Sequence, residues 1–126
     1  MQAFRILLAE DEPIIAQDIR LTLEKIGYEV IQVSAGQDAT EMCDQYRPNL
    51  AILNFRQPTT PDGLVLAQAL MRQFLLQVLL ITGARPKDLL ASEAQHLGFP
   101  ILYKPFTRHQ LRNCLEALKN TLNARQ

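Results

Sequence analysis

The chain has 126 residues, 48% of them hydrophobic and 21% charged, which fits one ordinary globular domain over residues 1–126. Thirteen basic residues balance thirteen acidic ones, so the charge indicates neither a nucleic-acid surface nor a membrane surface. The apolar run near the N-terminus is too short for a signal peptide or a membrane span. We therefore expect a cytoplasmic protein in which Cys43 and Cys114 are reduced and buried on apolar helix faces.

Short apolar runs alternate with stretches of helical periodicity five times along the chain. The runs predict five strands: Phe4–Ala9, Tyr28–Val33, Leu50–Leu53, Val78–Ile81 and Ile101–Tyr103. A first helix is predicted from Pro13 to the residue before Gly27, because proline favours the first helical position and glycine the residue after the last. Apolar stripes predict further helices over 39–46, 67–74 and 86–97, and a fifth that follows a Thr107 cap and ends near residue 122.

This alternation predicts an α/β fold in which helices cover both faces of a five-stranded parallel sheet, giving three αβα layers. Five such units fit the doubly wound, flavodoxin-like strand order 2-1-3-4-5. In that order the chain reverses direction between strands 1 and 3. A ligand crevice is therefore expected where the carboxyl ends of these two strands diverge.

Polar residues far apart in the sequence end the strands that border this crevice. They are Glu10, Asp11 and Glu12 after strand 1, Asn54 after strand 3, Thr82 after strand 4 and Lys104 after strand 5. Three carboxylates would repel a bare anion, so FMN and dinucleotides are poor candidates, whereas a hard divalent cation suits them. Each residue also has a simpler explanation, such as an acid interacting with a helix dipole or a lysine in solvent. Their joint placement favours a functional site.

Five segments in this order resemble the response-regulator receiver domain of two-component signalling: LLAEDEP (7–13), PNLAILN (48–54), DG (62–63), ITG (81–83) and KPF (104–106). The resemblance spans nearly the whole chain. It implies that Glu10 and Asp11 hold Mg²⁺, with a backbone carbonyl from Arg56. It also implies that Thr82 and Lys104 contact the phosphoryl group, and that the Lys104–Pro105 peptide bond is cis.

The sequence departs from this family at the residue that accepts phosphate. The family has an aspartate where this chain has Asn54, and an amide lacks the nucleophilic carboxylate oxygen that forms an acyl phosphate. We expect Asn54 to be at best a neutral metal ligand, so that Mg²⁺ binds weakly, and Lys104 to turn to Glu10, Asp11 or water. Ile101 replaces the family's switch aromatic, and the 58–63 loop is one residue longer than usual.

Three functions follow from these observations. The first is a pseudo-receiver that acts through protein contacts with a histidine kinase, a phosphotransfer protein or another receiver, without contacting nucleic acid or membrane. We expect these contacts, and a possible homodimer, to use the face formed by the fourth predicted helix, the fifth strand and the fifth predicted helix. The residues expected on this face are Leu89, His96, Tyr103, Arg108, Arg112 and Glu116. The second is an ordinary phosphorelay receiver in which Asn54 was either engineered from an aspartate or is slowly deamidated to one. The third, a small enzyme using Glu10 or Asp11 as a base, has no nucleophile–base pair or glycine cradle in its favour, and we expect no enzymatic activity.

Overall fold

The chain forms a five-stranded parallel sheet with helices on both faces. The computed structural model describes residues 4–10, 12–33, 39–54, 62–83 and 96–124. Its elements are β1 (Arg5–Ala9), α1 (Pro13–Ile26), β2 (Glu29–Val33), α2 (Ala39–Tyr46), β3 (Leu50–Asn54), α3 (Asp62–Phe74), β4 (Gln77–Thr82), β5 (Ile101–Tyr103) and α4 (Arg108–Ala124). The strands lie in the order β2-β1-β3-β4-β5, so the predicted doubly wound fold is confirmed. The fourth predicted helix, over 86–97, lies outside the described residues except at 96–97.

The sheet buries both of its faces, as its uninterrupted apolar strands predicted. Successive strand residues point to opposite faces, so Leu7 packs with α2 and α3 in one core cluster. Ile6 and Leu8 pack with α1 and α4 in a second cluster. Both ends of β4 extend one residue beyond the predicted bounds, and β3 gains Asn54. These polar end residues still pair with a neighbouring strand, which an apolar pattern cannot reveal.

The predicted helix ends are present in the structure. Pro13 is the first residue of α1, and Gly27 closes that helix in the left-handed conformation, at φ 110°. At the start of α4, the Gln110 backbone N–H donates to Thr107 Oγ1 (3.0 Å), and the Thr107 N–H donates to Gln110 Oε1 (2.8 Å). This reciprocal pair satisfies two backbone donors that the first helical turn would otherwise leave without partners.

Two residues of the predicted apolar stripes are exposed, and six are only partly buried: Ile15, Ile26, Met42, Phe74, Cys114 and Leu118. Tyr46 and Met71 are 39% and 40% exposed. Tyr46 is the last residue of α2 and Met71 lies in the last turn of α3. Cys43 is buried, as expected.

Burial raises the pKa of both thiols, but Cys114 is only partly buried. The two cysteines should differ in reactivity because Cys43 is enclosed and the pKa of its thiol is raised to about 11. At pH 8 only about 0.1% of such a thiol is the reactive thiolate. Iodoacetamide should therefore modify Cys114 first in the native protein and Cys43 only after unfolding, as followed by peptide mass spectrometry. The folded state disfavours the thiolate, so the free energy of unfolding should fall as pH rises from about 9 to 11. Equal native rates for the two cysteines would contradict this.

A second prediction concerns Leu75, which follows α3 at φ 58° with its side chain 87% exposed. A left-handed backbone is strained for leucine, and this side chain contributes little packing. Leu75→Gly should raise the free energy of unfolding by about 0.5–1 kcal/mol in urea denaturation. Gly27→Ala, at a position that already has glycine in this conformation, should lower it by a similar amount. Destabilisation by Leu75→Gly would refute the prediction.

Candidate functional site

The strand ladders bring the predicted crevice residues to one edge of the sheet. Ala9 pairs with Leu53, the last apolar residues of β1 and β3. Asn54 then pairs with Ile81 of β4, and Thr82 pairs with Tyr103 of β5. Glu10 and Lys104 each follow directly after these paired residues, at the carboxyl ends of β1 and β5.

An ion pair between Glu10 and Lys104 crosses this edge. Lys104 Nζ lies 3.1 Å from Glu10 Oε1, and the two side chains are 17% and 0% exposed. In the sheet, β3 and β4 lie between β1 and β5, so three strand spacings, about 14 Å, separate the backbones of these two strands. The two side chains therefore meet over the ends of β3 and β4, where Asn54 and Thr82 lie. The sequence prediction that Lys104 turns to an acid of the first loop is confirmed.

The backbone around Lys104 fixes where its side chain begins. Its N–H donates to the Thr82 carbonyl oxygen over 2.7 Å, which extends the β4–β5 ladder by one hydrogen bond. The Lys104–Pro105 peptide bond is cis, as the resemblance implied. Phe106 then packs against the core cluster beneath α1 and α4. Thr82 is fully buried, so it lies in the floor of the crevice.

Two of the predicted metal ligands, Asp11 and Arg56, lie outside the described residues, as does the lengthened loop up to residue 61. Within the described ranges no three His, Cys, Asp or Glu residues come close enough to hold a metal. Glu10 and Asn54 are the predicted ligands that the structure does place. Their roles toward a metal remain a prediction.

The sequence analysis placed Glu12 at the crevice but did not predict its contact with Lys104, and it did not single out Ile14. Glu12 Oε1 lies 3.6 Å from Lys104 Nζ, so a second, more exposed carboxylate contacts the lysine. Ile14, in the first turn of α1, is 83% exposed. The buried residues Ile19 and Leu23 of the same helix place residue 14 on its outer face, so a helical wheel would have found it.

The predicted pairing face is only partly described. His96, Arg108, Arg112 and Glu116 are exposed and Tyr103 is partly buried, whereas Leu89 lies outside the described residues. Arg108 Nη2 bonds Asp18 Oδ1 of α1 over 2.9 Å, so this arginine ties α4 to α1. None of the helices in the described part is long and apolar enough to cross a membrane.

The sheet is doubly wound, and its carboxyl edge has an acidic loop, a cis lysine–proline bond and a buried threonine. Together these features define a signalling receiver fold. Residues 6–116 match the family described as "Response regulator receiver domain". The chain belongs to that family.

Curated relatives are similar over most of the chain. The transcriptional regulatory protein PdtaR of Mycobacterium tuberculosis is 28% identical over 113 residues, 89% of this chain and 55% of that protein. The phyllosphere-induced regulator PhyR of Methylorubrum extorquens is 32% identical over 106 residues, 82% and 39% of the two chains. The chain thus spans about half the length, or less, of these relatives.

Solved receiver structures share the fold. The receiver domain of a modulated diguanylate cyclase from Desulfovibrio desulfuricans superposes with a TM-score of 0.85 at 23% identity, covering 99% of this chain and 100% of that one. The chemotaxis protein CheY4 of Vibrio cholerae gives 0.80 at 23% identity, covering 93% and 99%. Receiver domains interact with histidine kinases or phosphotransfer proteins, and they generally bind Mg²⁺ at the phosphorylation site.

Proposed function

We propose that this receiver domain works in two-component signalling as a pseudo-receiver, acting through protein contacts and not through phosphate bound at residue 54. The observation that supports this most is the position of Asn54. It ends β3 at the edge where the buried Glu10–Lys104 pair crosses the sheet. This is where the resemblance places the family's phosphoacceptor aspartate.

The chemistry of an amide supports the proposal. Phosphoryl transfer to a receiver needs a carboxylate oxygen that attacks phosphorus, and the carboxamide of Asn54 has neither the charge nor the nucleophilicity. The transferred group also needs positive charge around its equatorial oxygens. Lys104 could supply that charge, but here Glu10 and Glu12 already contact its ammonium group. The charge of this lysine is thus balanced inside the protein.

The site fits Mg²⁺ poorly, which supports weak binding. A hard cation prefers several anionic oxygens. Of the predicted ligands that the structure describes, Glu10 is bound by Lys104 and Asn54 offers only a neutral carbonyl. We propose that Asp11 and the carbonyl of Arg56 complete the set. When bound, the metal would neutralise charge on an incoming anion.

The proposed partners are a histidine kinase, a phosphotransfer protein or another receiver, and the cytoplasm is the proposed compartment. Exposed Ile14, beside the crevice, supports protein contact there, because an isolated large apolar side chain in solvent gains free energy when a partner covers it. A homodimer through the fourth predicted helix, β5 and α4 remains part of the proposal. Because the chain carries no net charge, we propose that it makes no direct contact with nucleic acid.

A second candidate is an ordinary phosphorelay receiver in which Asn54 replaced an aspartate. The intact surroundings favour it, since Thr82 and Lys104 both border the crevice. In that case Asn54→Asp should behave as a fully competent receiver.

Beryllofluoride with Mg²⁺ tests the proposal, because it mimics a phosphoryl group only where a carboxylate oxygen can coordinate beryllium. With Mg²⁺ alone as the reference, adding beryllofluoride should leave the amide chemical shifts of Glu10, Thr82 and Lys104 unchanged in the native sequence and move them in Asn54→Asp. Asn49→Asp makes the same chemical change at the opposite end of β3 and should leave them unchanged. Saturable shifts that beryllofluoride causes in the native sequence beyond those of Mg²⁺ alone would overturn the pseudo-receiver proposal.

A further inference from the structure

An open groove runs between α1 and α4 on the outer surface of the domain. Its volume is about 270 Å³, and its lining residues are Leu21, Thr22, Lys25, Ile26, Arg108 and Arg112. Both helices pack on the same face of the sheet, so the groove follows their common direction. Leu21 is eight residues from the start of α1, about 12 Å along the helix axis from the crevice end. On α1 the groove therefore lies away from the crevice, and on α4 it begins at Arg108, four residues after Lys104.

The groove combines an apolar floor with a cationic rim. Leu21 is 45% exposed and Ile26 is partly exposed, so both present apolar surface to solvent. Thr22 turns its hydroxyl inward and donates it to the Asp18 carbonyl oxygen over 2.8 Å. Three of the six lining residues are cations and none is an acid, although the chain as a whole carries no net charge.

The charge of this rim is only partly balanced by neighbouring residues. Asp18 binds Arg108 at one end of the groove. Burial raises the pKa of the Tyr28 phenol, the nearby Glu116 raises it further and Arg112 lowers it, so both charged residues lie near this ring. None of the ion pairs among the described residues involves Lys25 or Arg112. Two positive charges therefore flank an apolar strip, and an acidic partner could neutralise both.

The dimensions favour a segment of another protein over a small ligand. Pockets for drug-sized ligands usually enclose about 300–1,000 Å³ and bury most of the ligand, whereas this groove is smaller and open. Two helices side by side leave a furrow into which the ridges of a third helix can pack. An amphipathic helix can place its apolar side chains against Leu21 and Ile26 and its carboxylates against Lys25 and Arg112.

We infer that the α1–α4 groove is a docking site for an acidic amphipathic helix of a partner protein, with Lys25 and Arg112 selecting its charge. The inference does not depend on the state of residue 54, because no lining residue touches the crevice residues in any described contact.

A pair of synthetic helical peptides tests this inference with the intact chain. Both carry leucines on one face, flanked by glutamates in the first peptide and by lysines in the second. The glutamate peptide should shift the amide signals of Leu21, Lys25 and Arg112 saturably, and the lysine peptide should not. Raising ionic strength should weaken the binding, since exposed charges are screened.

Charge-reversal variants of the protein test the two cations, and a third variant is the matched control. Lys25→Glu and Arg112→Glu should each weaken binding of the glutamate peptide by about threefold to tenfold. Arg72→Glu makes the same change on exposed α3, across the sheet, and should leave the affinity unchanged. Equal binding of both peptides, no shifts in the groove, or equal losses in Arg72→Glu and Arg112→Glu would overturn the inference. Groove signals that move with protein concentration alone would assign the groove to a second copy of the chain and overturn it too.

Discussion

Replacing Lys104 by methionine should lower the free energy of unfolding by about 2–4 kcal/mol at neutral pH. The lysine is 17% exposed and its partner Glu10 is fully buried. Removing the cation leaves a buried carboxylate with its nearest positive charge gone, and the cost of such a charge exceeds that of losing the pair as a whole. Urea denaturation with a common m value would measure the change.

The double variant Glu10→Gln with Lys104→Met separates charge from packing. Two neutral side chains of similar size remove the buried charge, so the double variant should regain much of the stability that Lys104→Met loses. Lys119→Met is a useful control, because Lys119 lies over the Phe4 and Tyr28 rings at 5.3 and 5.4 Å and forms no ion pair with the other described residues. It should cost at most about 1 kcal/mol. A double variant as unstable as Lys104→Met would contradict the account.

Asn54→Asp should bind Mg²⁺ about tenfold to a hundredfold more tightly than the native sequence. The substitution adds one anionic oxygen ligand at the end of β3, beside Glu10, and a hard cation gains affinity with ligand charge. Titration calorimetry, or the amide shifts of Glu10 and Thr82, would give both dissociation constants.

Asn49→Asp is the matched control for the metal experiment. Asn49 precedes β3 at the opposite edge of the sheet, where its Oδ1 accepts a hydrogen bond from the Arg5 N–H over 2.8 Å. The same change of amide to carboxylate there should leave Mg²⁺ affinity as it is. If Asn54→Asp and the native sequence bind Mg²⁺ equally, residue 54 is not a metal ligand and the proposed ligand set is wrong.

Periodicity and topology predicted most of the fold because they depend on local pattern and general packing rules. Apolar runs such as Ile6–Ala9 can be buried on both faces only in a covered parallel sheet, and the structure has that sheet. The end signals at Pro13, Gly27 and Thr107 were equally reliable, since each acts through its own backbone chemistry. The extent of burial at Tyr46 and Met71 was not predictable, because it depends on how far each helix reaches over the sheet.

The candidate site could be predicted as a set of residues but not as a geometry. Strand order alone placed Glu10, Asn54, Thr82 and Lys104 at one edge. The sequence left open whether Lys104 would reach Glu10, Asp11 or water, and it could not show that the Glu10 side chain would be completely enclosed. The α1–α4 groove was not predicted at all, since it depends on the spacing of two helices that are distant in sequence.

Opposite charges are paired within the crevice. The carboxylates of Glu10 and Glu12 stand close to the ammonium group of Lys104, so an incoming anion would have to displace them from the lysine. A neutral Asn54 adds no charge that would disturb this pairing.

The most direct test of the proposed function is intact-mass spectrometry of the native sequence after incubation with a small-molecule phosphodonor and Mg²⁺. The pseudo-receiver proposal predicts no phosphoryl adduct on the native sequence or on Asn49→Asp, and one hydroxylamine-labile adduct on Asn54→Asp. A stable phosphoryl adduct on the native chain, mapped to residue 54 or to a neighbouring acid, would contradict it.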